Sequence, residues 1–498
     1  MKPLKRRQKD SVKKMFHAKE YYLDTFKVTE QDLDNLIAIA MGSGGTYADL
    51  FFENSVYCDL MLRDSKVASG GFHQDYGVGI RTLCGEKTGY AYSESTRPEA
   101  MRAAAASASA IGAGNIRNGD SIAAEDGYVP RLYKGKPNPA ADRYPVTSNW
   151  QDAKPEELAK ILYKLEDRLR GKDARILKIM AALSWQNSDV LMYNSYCELK
   201  YETRPMGTLA VSVILSDGQN MVNTHASRSF RSGCEMLTDA LVEELAAEAL
   251  KNMDDKFKAD RPKGGKMPVV MGAGASGILL HEAMGHAFEA DFIRKGQSVF
   301  NGMLGKTICS DDITIVDDGT IKGNRGSINF DDEGVPAQRT VMVDHGVLTS
   351  FLHDRISARA LGVQPTGNGR RESFRYAPIP RMRATYMESG SANPADIIAS
   401  VKKGIYVDEF SNGQVKIGEG DFTFYVKSGY LIENGHLTMP VKDINIIGNG
   451  PRALGQITAV GNDALIDNGA WTCGKEQSAP VSCGIPTVLV DGLTVGGE

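Results

Sequence analysis

Apolar and polar positions divide the chain into a mixed first half and a strand-dominated second half. A helix is expected from Thr29-Glu30-Gln31 through Met41. A second, Ala-rich one is expected from Arg97 to Ile111, after Ser95-Thr96 and ahead of Gly112. Between them, alternation predicts strands near Ala48–Glu53, Val56–Arg63 and Gly77–Cys84, with tight turns such as Cys84-Gly85-Glu86. Residues 129–155 carry five prolines (Pro130, Pro137, Pro139, Pro145, Pro155) and read as a connector or arm. A helix from Pro155 to about Arg170 follows, with proline suited to its first turn. Strands are expected at Ala174–Leu183, Val190–Tyr201 and Thr208–Asp217, then a helix over about Ser232 to Met253. The run Asp260-Arg261-Pro262-Lys263-Gly264-Gly265 interrupts the pattern and marks the main boundary. After residue 300 hairpin signals recur at Asp317-Asp318-Gly319, Asp344-His345-Gly346, Ser411-Asn412-Gly413 and Glu433-Asn434-Gly435. The expected division is a basic extension over 1–25, an α+β domain over 26–260 and a β-rich domain over 261–498.

Composition narrows the class. A chain of 498 residues is too long for one ordinary core, and two or three domains are expected. Apolar residues make up 42% and charged residues 24%, as in globular proteins. Lys+Arg 58 against Asp+Glu 62 leaves a net charge of −4, which gives no electrostatic case for direct nucleic-acid binding. No run of 18 apolar residues occurs, so no transmembrane helix and no membrane partner is expected. The stretch Met1 to Lys19 is basic, but Asp10, Lys13 and Lys14 stand where the apolar part of a secretion signal would follow. It reads as a solvated arm or first helix. Seven cysteines, at 58, 84, 197, 234, 309, 473 and 483, are sparse and irregular and imply no disulfide framework. A reducing cytoplasm is the expected compartment, a setting in which a single thiolate can be functional.

The chemistry concentrates in His281-Glu282-Ala283-Met284-Gly285-His286. With 8 histidines in the chain, an H-E-x-x-x-H string would arise by chance on the order of 0.01 times per chain. The usual zinc-protease helix spaces its histidines four apart, on one face. Five apart puts them roughly 140° around a regular helix, so both imidazoles cannot reach one ion. A helix from Ser276 to Asp291 therefore needs a deformation, and a π-bulge at Gly285 is the expected form. Glu282, beside the first histidine, is the candidate general base, because a metal acidifies a bound water and a carboxylate can take its proton. A catalytic zinc has three protein ligands and one open position. For the third ligand the residues alone leave Glu289, Asp291, Cys473 and His353 open.

A competing motif lies just upstream. Gly272-Ala273-Gly274-Ala275-Ser276-Gly277 fits G-x-G-x-x-G between a strand-like run and a helix, as a dinucleotide fingerprint requires. No repeated strand-helix-strand units follow, and no acidic residue ends a second strand some 20 residues on. The plainer reading is a small-residue turn that lets a helix pack closely on a strand.

Several further segments join these. They are Tyr47-Ala48-Asp49-Leu50, Gly77-Val78-Gly79-Ile80-Arg81, Phe288-Glu289-Ala290-Asp291, Asp332-Glu333-Gly334-Val335-Pro336, Thr366-Gly367-Asn368-Gly369-Arg370-Arg371, Gly429-Tyr430-Leu431-Ile432-Glu433-Asn434-Gly435 and Thr472-Cys473-Gly474-Lys475. With the His281–His286 motif they make the chain, from about residue 45 onward, resemble the TldD/PmbA family of zinc metallopeptidases, also known as modulators of DNA gyrase. Retention of the motif puts it on the TldD-like branch. The resemblance implies zinc held by His281, His286 and Cys473, with Glu282 as general base. It also implies a dimer enclosing a cavity, as a homodimer or with a PmbA-like partner, acting on unfolded or extended peptides. It does not extend to the basic segment before about residue 25.

The fold class expected from residues and resemblance together is α+β. It comprises an N-terminal α/β sandwich-like domain with an antiparallel sheet, and a C-terminal domain of large, curled antiparallel sheets with a metal-binding helix. The expected mechanism is hydrolysis of a peptide added as a strand at a sheet edge. Candidates for oxyanion stabilisation are Arg370, Arg371, Arg383 and the tyrosines. The alternatives are a non-catalytic metal-binding scaffold or partner subunit, and an oxidoreductase using Gly272–Gly277.

Overall fold

Long alternating runs dominate the first half. In the computed structural model, which describes residues 17–114, 143–416 and 419–497, they form six antiparallel strands. These are β1 (Tyr47–Arg63), β2 (Lys66–Cys84), β3 (Lys87–Ser93), β4 (Ile176–Asn194), β5 (Leu199–Ser216) and β6 (Met221–Phe230), in the order β3-β2-β1-β4-β5-β6. The basic extension up to residue 16 and connector residues 129–142 lie outside the described residues.

The strands are longer than the alternation predicts, because polar breaks in one strand face polar breaks in the next. Asn54 and Ser55 of β1 lie opposite Asp189 and Ser188 of β4. The Ser55 hydroxyl lies 2.6 Å from that of Ser188, so the strand continues through polar residues that satisfy one another. Conversely, the expected strand Val190–Tyr201 is two. The chain reverses at Asn194–Glu198, where Cys197 adopts φ 60° and the Asn194 side chain accepts from the Tyr196 and Glu198 amides at 3.0 and 3.2 Å.

Helices cover one face of this sheet at each end. α1 (Lys19–Phe26), α2 (Glu30–Met41) and α3 (Pro98–Gly114) bury Phe26, Leu33, Leu36, Met101 and Ala105 against Phe52, Val78 and Ile80. Thr29 caps α2 in a reciprocal pair with Asp32. α4 (Pro155–Leu169) and α5 (Asp239–Ala249) bury Leu162, Leu165, Val242 and Leu245 against Leu183, Leu209 and Val213. The helix expected over 232–253 is shorter. Ser232-Gly233 precedes a 3-10 turn, Thr238 caps α5, and Asn252 at φ 54° separates it from α6 (Met253–Lys258).

From residue 265 the chain is strand-rich, and its largest sheet closes on itself. Strands Lys403–Lys416, Gly265–Met271, Val488–Gly496, Ile444–Asn449 and Asp421–Glu433 pair in that order, and the last pairs back to the first. Residues such as Val269, Val407, Phe424, Ile446 and Val490 fill its core. The Asn434-Gly435 turn forms as expected, at φ 52° and 79°. Asn412-Gly413 does not turn. It lies inside the strand Lys403–Lys416, where the register shifts between Val407 and Asn412, so the extra residues are absorbed as bulges. A second, six-stranded sheet includes Ile315–Asp318, Ala384–Met387 and Ser482–Ile485. Buried ion pairs join the two halves: Arg81 with Glu333 at 2.7 Å, and Arg204 with Asp332 at 2.5 Å.

Candidate metal centre

The site starts where the strand Gly265–Met271 leaves the barrel. The Gly272 amide donates to Val407 and that of Gly274, at φ 86°, donates to Ile485. A Cβ on Gly277 would stand 2.4 Å from the Gly484 backbone nitrogen. The glycines thus set α7 (Gly277–Ala283) flush on the strand Ser482–Ile485, which fixes the direction of His281 and Glu282.

The helix does not run to Asp291 around a π-bulge, as the spacing suggested. It stops at Ala283, Met284 adopts φ −132° and ψ −41°, and a 3-10 turn spans Gly285–Phe288. A Cβ on Gly285 would lie 2.2 Å from the buried Met382 sulfur, so a larger residue there would force that side chain to move. Breaking the helix achieves the realignment. The His281 and His286 rings sit 5.2 Å apart, nearly perpendicular.

The hairpin Thr472–Lys475 and Gln477–Pro480 brings Cys473 to them from 187 residues away. Its Sγ lies 3.2 Å from His286 Nε2, and donor atoms of His281, His286 and Cys473 all fall within 4.8 Å of one another, all three residues buried. Among the described residues, neither buried His281 ring nitrogen has a hydrogen-bond partner. Ligand atoms around one tetrahedral zinc stand roughly 3.5 Å apart, so this set can hold one ion with a small closing movement. Glu282 reaches to 3.9 Å from His286 Nε2, its side chain 24% exposed on the accessible side of an otherwise closed cluster.

The electrostatics favour a sulfur ligand. Burial raises the Cys473 thiol, but the adjacent His281 and His286 outweigh it and bring it down to about 4. Burial disfavours a charged His286, yet Glu289 and Cys473 push it up to about 10. Glu289 is fully buried. Its Oε2 meets His286 Nδ1 and Lys475 Nζ, both at 2.9 Å, and Met382 N donates to its Oε1 at 3.2 Å. Burial would raise this carboxyl, but Lys475 and His286 hold it well below the usual carboxylate range. A carboxylate on Nδ1 leaves Nε2 facing the cluster, the arrangement that orients a ligating imidazole.

The other third-ligand candidates take different places. Glu289 and Asp291 both receive Lys475 Nζ, at 2.9 Å each. His353 sits apart against Phe351, and burial lowers it to about 4. Lys475 and Arg381 were not singled out by sequence. Arg381 donates to the carbonyls of Cys473 and Gln477 at 2.8 and 2.6 Å, tying down the hairpin that carries Cys473. One signal for Lys475 existed: two residues after Cys473 in a strand, it shares that residue's face.

Known proteins resemble the chain over most of its length. The profile described as PmbA/TldA metallopeptidase C-terminal domain matches residues 264–497, domain 1 matches 48–112 and the central domain 148–253. A metalloprotease TldD homolog from Haemophilus influenzae is 37% identical over 476 residues, 94% of this chain and 97% of its own. The chain belongs to the PmbA/TldD metallopeptidase family. A Buchnera aphidicola TldD homolog is 34% identical across 96% of this chain and 98% of its own. A zinc metalloprotease TldD homolog from Saccharolobus solfataricus is 31% identical over 58% of this chain and 65% of its own. TldE from Thermococcus kodakarensis shares the fold, with TM-score 0.73 at 19% identity over 94% of this chain and all of that one. No helix among the described residues is long and apolar enough to cross a membrane.

Proposed function

We propose that this member of the family is a zinc-dependent peptidase acting on extended or unfolded peptides, with His281, His286 and Cys473 as ligands and Glu282 as general base. One observation carries the reading: two imidazoles and a depressed thiol converge in a buried cluster with a partly exposed carboxylate beside it. Two nitrogens and one sulfur suit zinc, and three protein donors leave a fourth position open. A zinc ion there would polarise the scissile carbonyl and acidify water.

The protein's own groups carry the remaining chemistry. Glu282 accepts the proton of the attacking water and returns it to the leaving amine. Glu289 fixes the tautomer of His286, Lys475 holds Glu289 and Asp291 in place, and Arg381 anchors the hairpin through the Cys473 carbonyl. Among the described residues Thr472–Lys475 pairs with one strand only, and its other edge suits an extended peptide bound through its main chain. The same reading takes the working form as a dimer, of this chain or with a PmbA-like chain.

The test is hydrolysis of an unstructured peptide by wild type and Glu282→Gln at matched zinc content. A loss of about 10²-fold or more with zinc retained is expected. Full activity in the variant would remove Glu282 from the mechanism.

A further inference from the structure

Between the N-terminal sheet and the ligand hairpin lies a polar cavity of about 440 Å³. Six arginines and four carboxylates line it, and the carboxylates are already engaged. Glu53 accepts from Ser55 and the Phe374 amide. Asp75 pairs with Arg375, Asp332 with Arg204 and the Arg371 amide, and Glu372 accepts from the Ser478 amide.

Three of the arginines have no carboxylate partner among the described residues. Arg325 donates to the Trp471 carbonyl, the Ser229 hydroxyl and the Thr472 hydroxyl, at 2.9, 2.5 and 3.3 Å. Arg370 donates to the Met382 and Pro480 carbonyls, at 2.5 and 2.7 Å. Arg231 lies 5.9 Å from the Tyr144 ring centroid, and its buried Nε has no partner among the described residues. They are 8%, 4% and 7% exposed. Guanidinium groups stay charged in proteins, and buried charges are normally paired. Three uncompensated cations around one cavity make a preformed seat for an anion, and Arg231, whose guanidinium makes no hydrogen bond among the described residues, keeps its fork free for a carboxylate. The seat adjoins the metal centre: Arg325 holds the residue before Cys473, and Arg370 holds Pro480 on the partner strand.

We propose that this cavity binds a carboxylate of the peptide substrate through Arg231, Arg325 and Arg370. It would thereby set which peptides are held across the metal centre. The carboxylate can come from the peptide C-terminus or from an Asp or Glu side chain. The proposal rests on the peptidase reading for the identity of its ligand, and its test reads binding alone.

Calorimetric titration of the Glu282→Gln protein would compare three forms of one capped hexapeptide. These are the free acid, the C-terminal amide, and the amide with one internal glutamate. At least tenfold tighter binding of the free acid over the plain amide assigns the C-terminal source. The same advantage for the glutamate peptide assigns the side-chain source. In either case the advantage should vanish in a protein that also carries Arg231→Met. That variant should melt at a higher temperature, because it removes an unpaired buried charge, so loss of binding would not reflect unfolding. Equal affinity for all three peptides, no binding of any, or a preference that survives Arg231→Met would overturn the proposal. Failure of wild type to hydrolyse peptides, with the preference intact, would instead count against the peptidase reading.

Discussion

Glu289→Gln isolates the support of one proposed metal ligand, His286, with almost no change of shape. The carboxylate is fully buried and receives three donors: His286 Nδ1 at 2.9 Å, Lys475 Nζ at 2.9 Å and Met382 N at 3.2 Å. Glutamine keeps one acceptor and turns the other into an NH2 donor. Oε2 faces two donors, so the amide nitrogen cannot occupy that position without meeting an ammonium. Turned the other way, it meets the Met382 amide. One charge-assisted hydrogen bond is lost in either orientation, worth about 1.5–3 kcal/mol. If the ring gives up its Nδ1 proton to accept from the amide, the proton moves to Nε2, the atom that faces Cys473. Loss of such a partner typically costs about 10–100-fold in metal affinity, or ~1.4–2.7 kcal/mol. Zinc affinity would be measured by competition with a chromogenic chelator, and folding by urea denaturation at equal zinc. Zinc affinity within twofold of wild type, at unchanged urea midpoint, would refute the role given to Glu289.

Two further perturbations follow from the geometry. In Gly277→Ala the new Cβ meets the Gly484 backbone nitrogen at 2.4 Å and its Cα at 2.6 Å, and backbone cannot swing aside. A destabilisation of about 2 kcal/mol and weaker zinc binding are expected, because α7 carries His281 and Glu282. A urea midpoint at or above wild type would contradict this. Burial pushes Glu53 up to about 7, against about 4.3 in an unfolded chain. The folded state therefore keeps a proton that the unfolded state has lost, and stability falls as pH rises from about 4.5 to 7. Glu53→Gln should remove that slope, up to about 3 kcal/mol between those limits, read from urea midpoints at several pH values. An unchanged slope would mean that Glu53 is not the group responsible.

The sequence carried the two histidines, Glu282 and the need for a deformed helix, because these are local in the chain. The form of the deformation was not legible. It depends on Met382, nearly a hundred residues away, filling the space against Gly285. Cys473 was one candidate among four until the resemblance singled it out, since only the folded hairpin brings it within 3.2 Å of His286. Strand lengths were underestimated for a related reason. Ser55 and Ser188 look like interruptions singly and become a cross-strand pair only once β1 and β4 are in register. The Gly272–Gly277 string fits a nucleotide fingerprint, yet its glycines serve backbone contacts to Val407, Ile485 and Gly484.

The most direct test of the central claim is the zinc content per chain of purified wild type beside Cys473→Ala. The account predicts about one zinc in wild type and a clear loss in the variant, whose two remaining ligands cannot complete a three-donor site. Wild-type protein without zinc after zinc addition and dialysis, or a Cys473→Ala variant that holds a full equivalent, would contradict it.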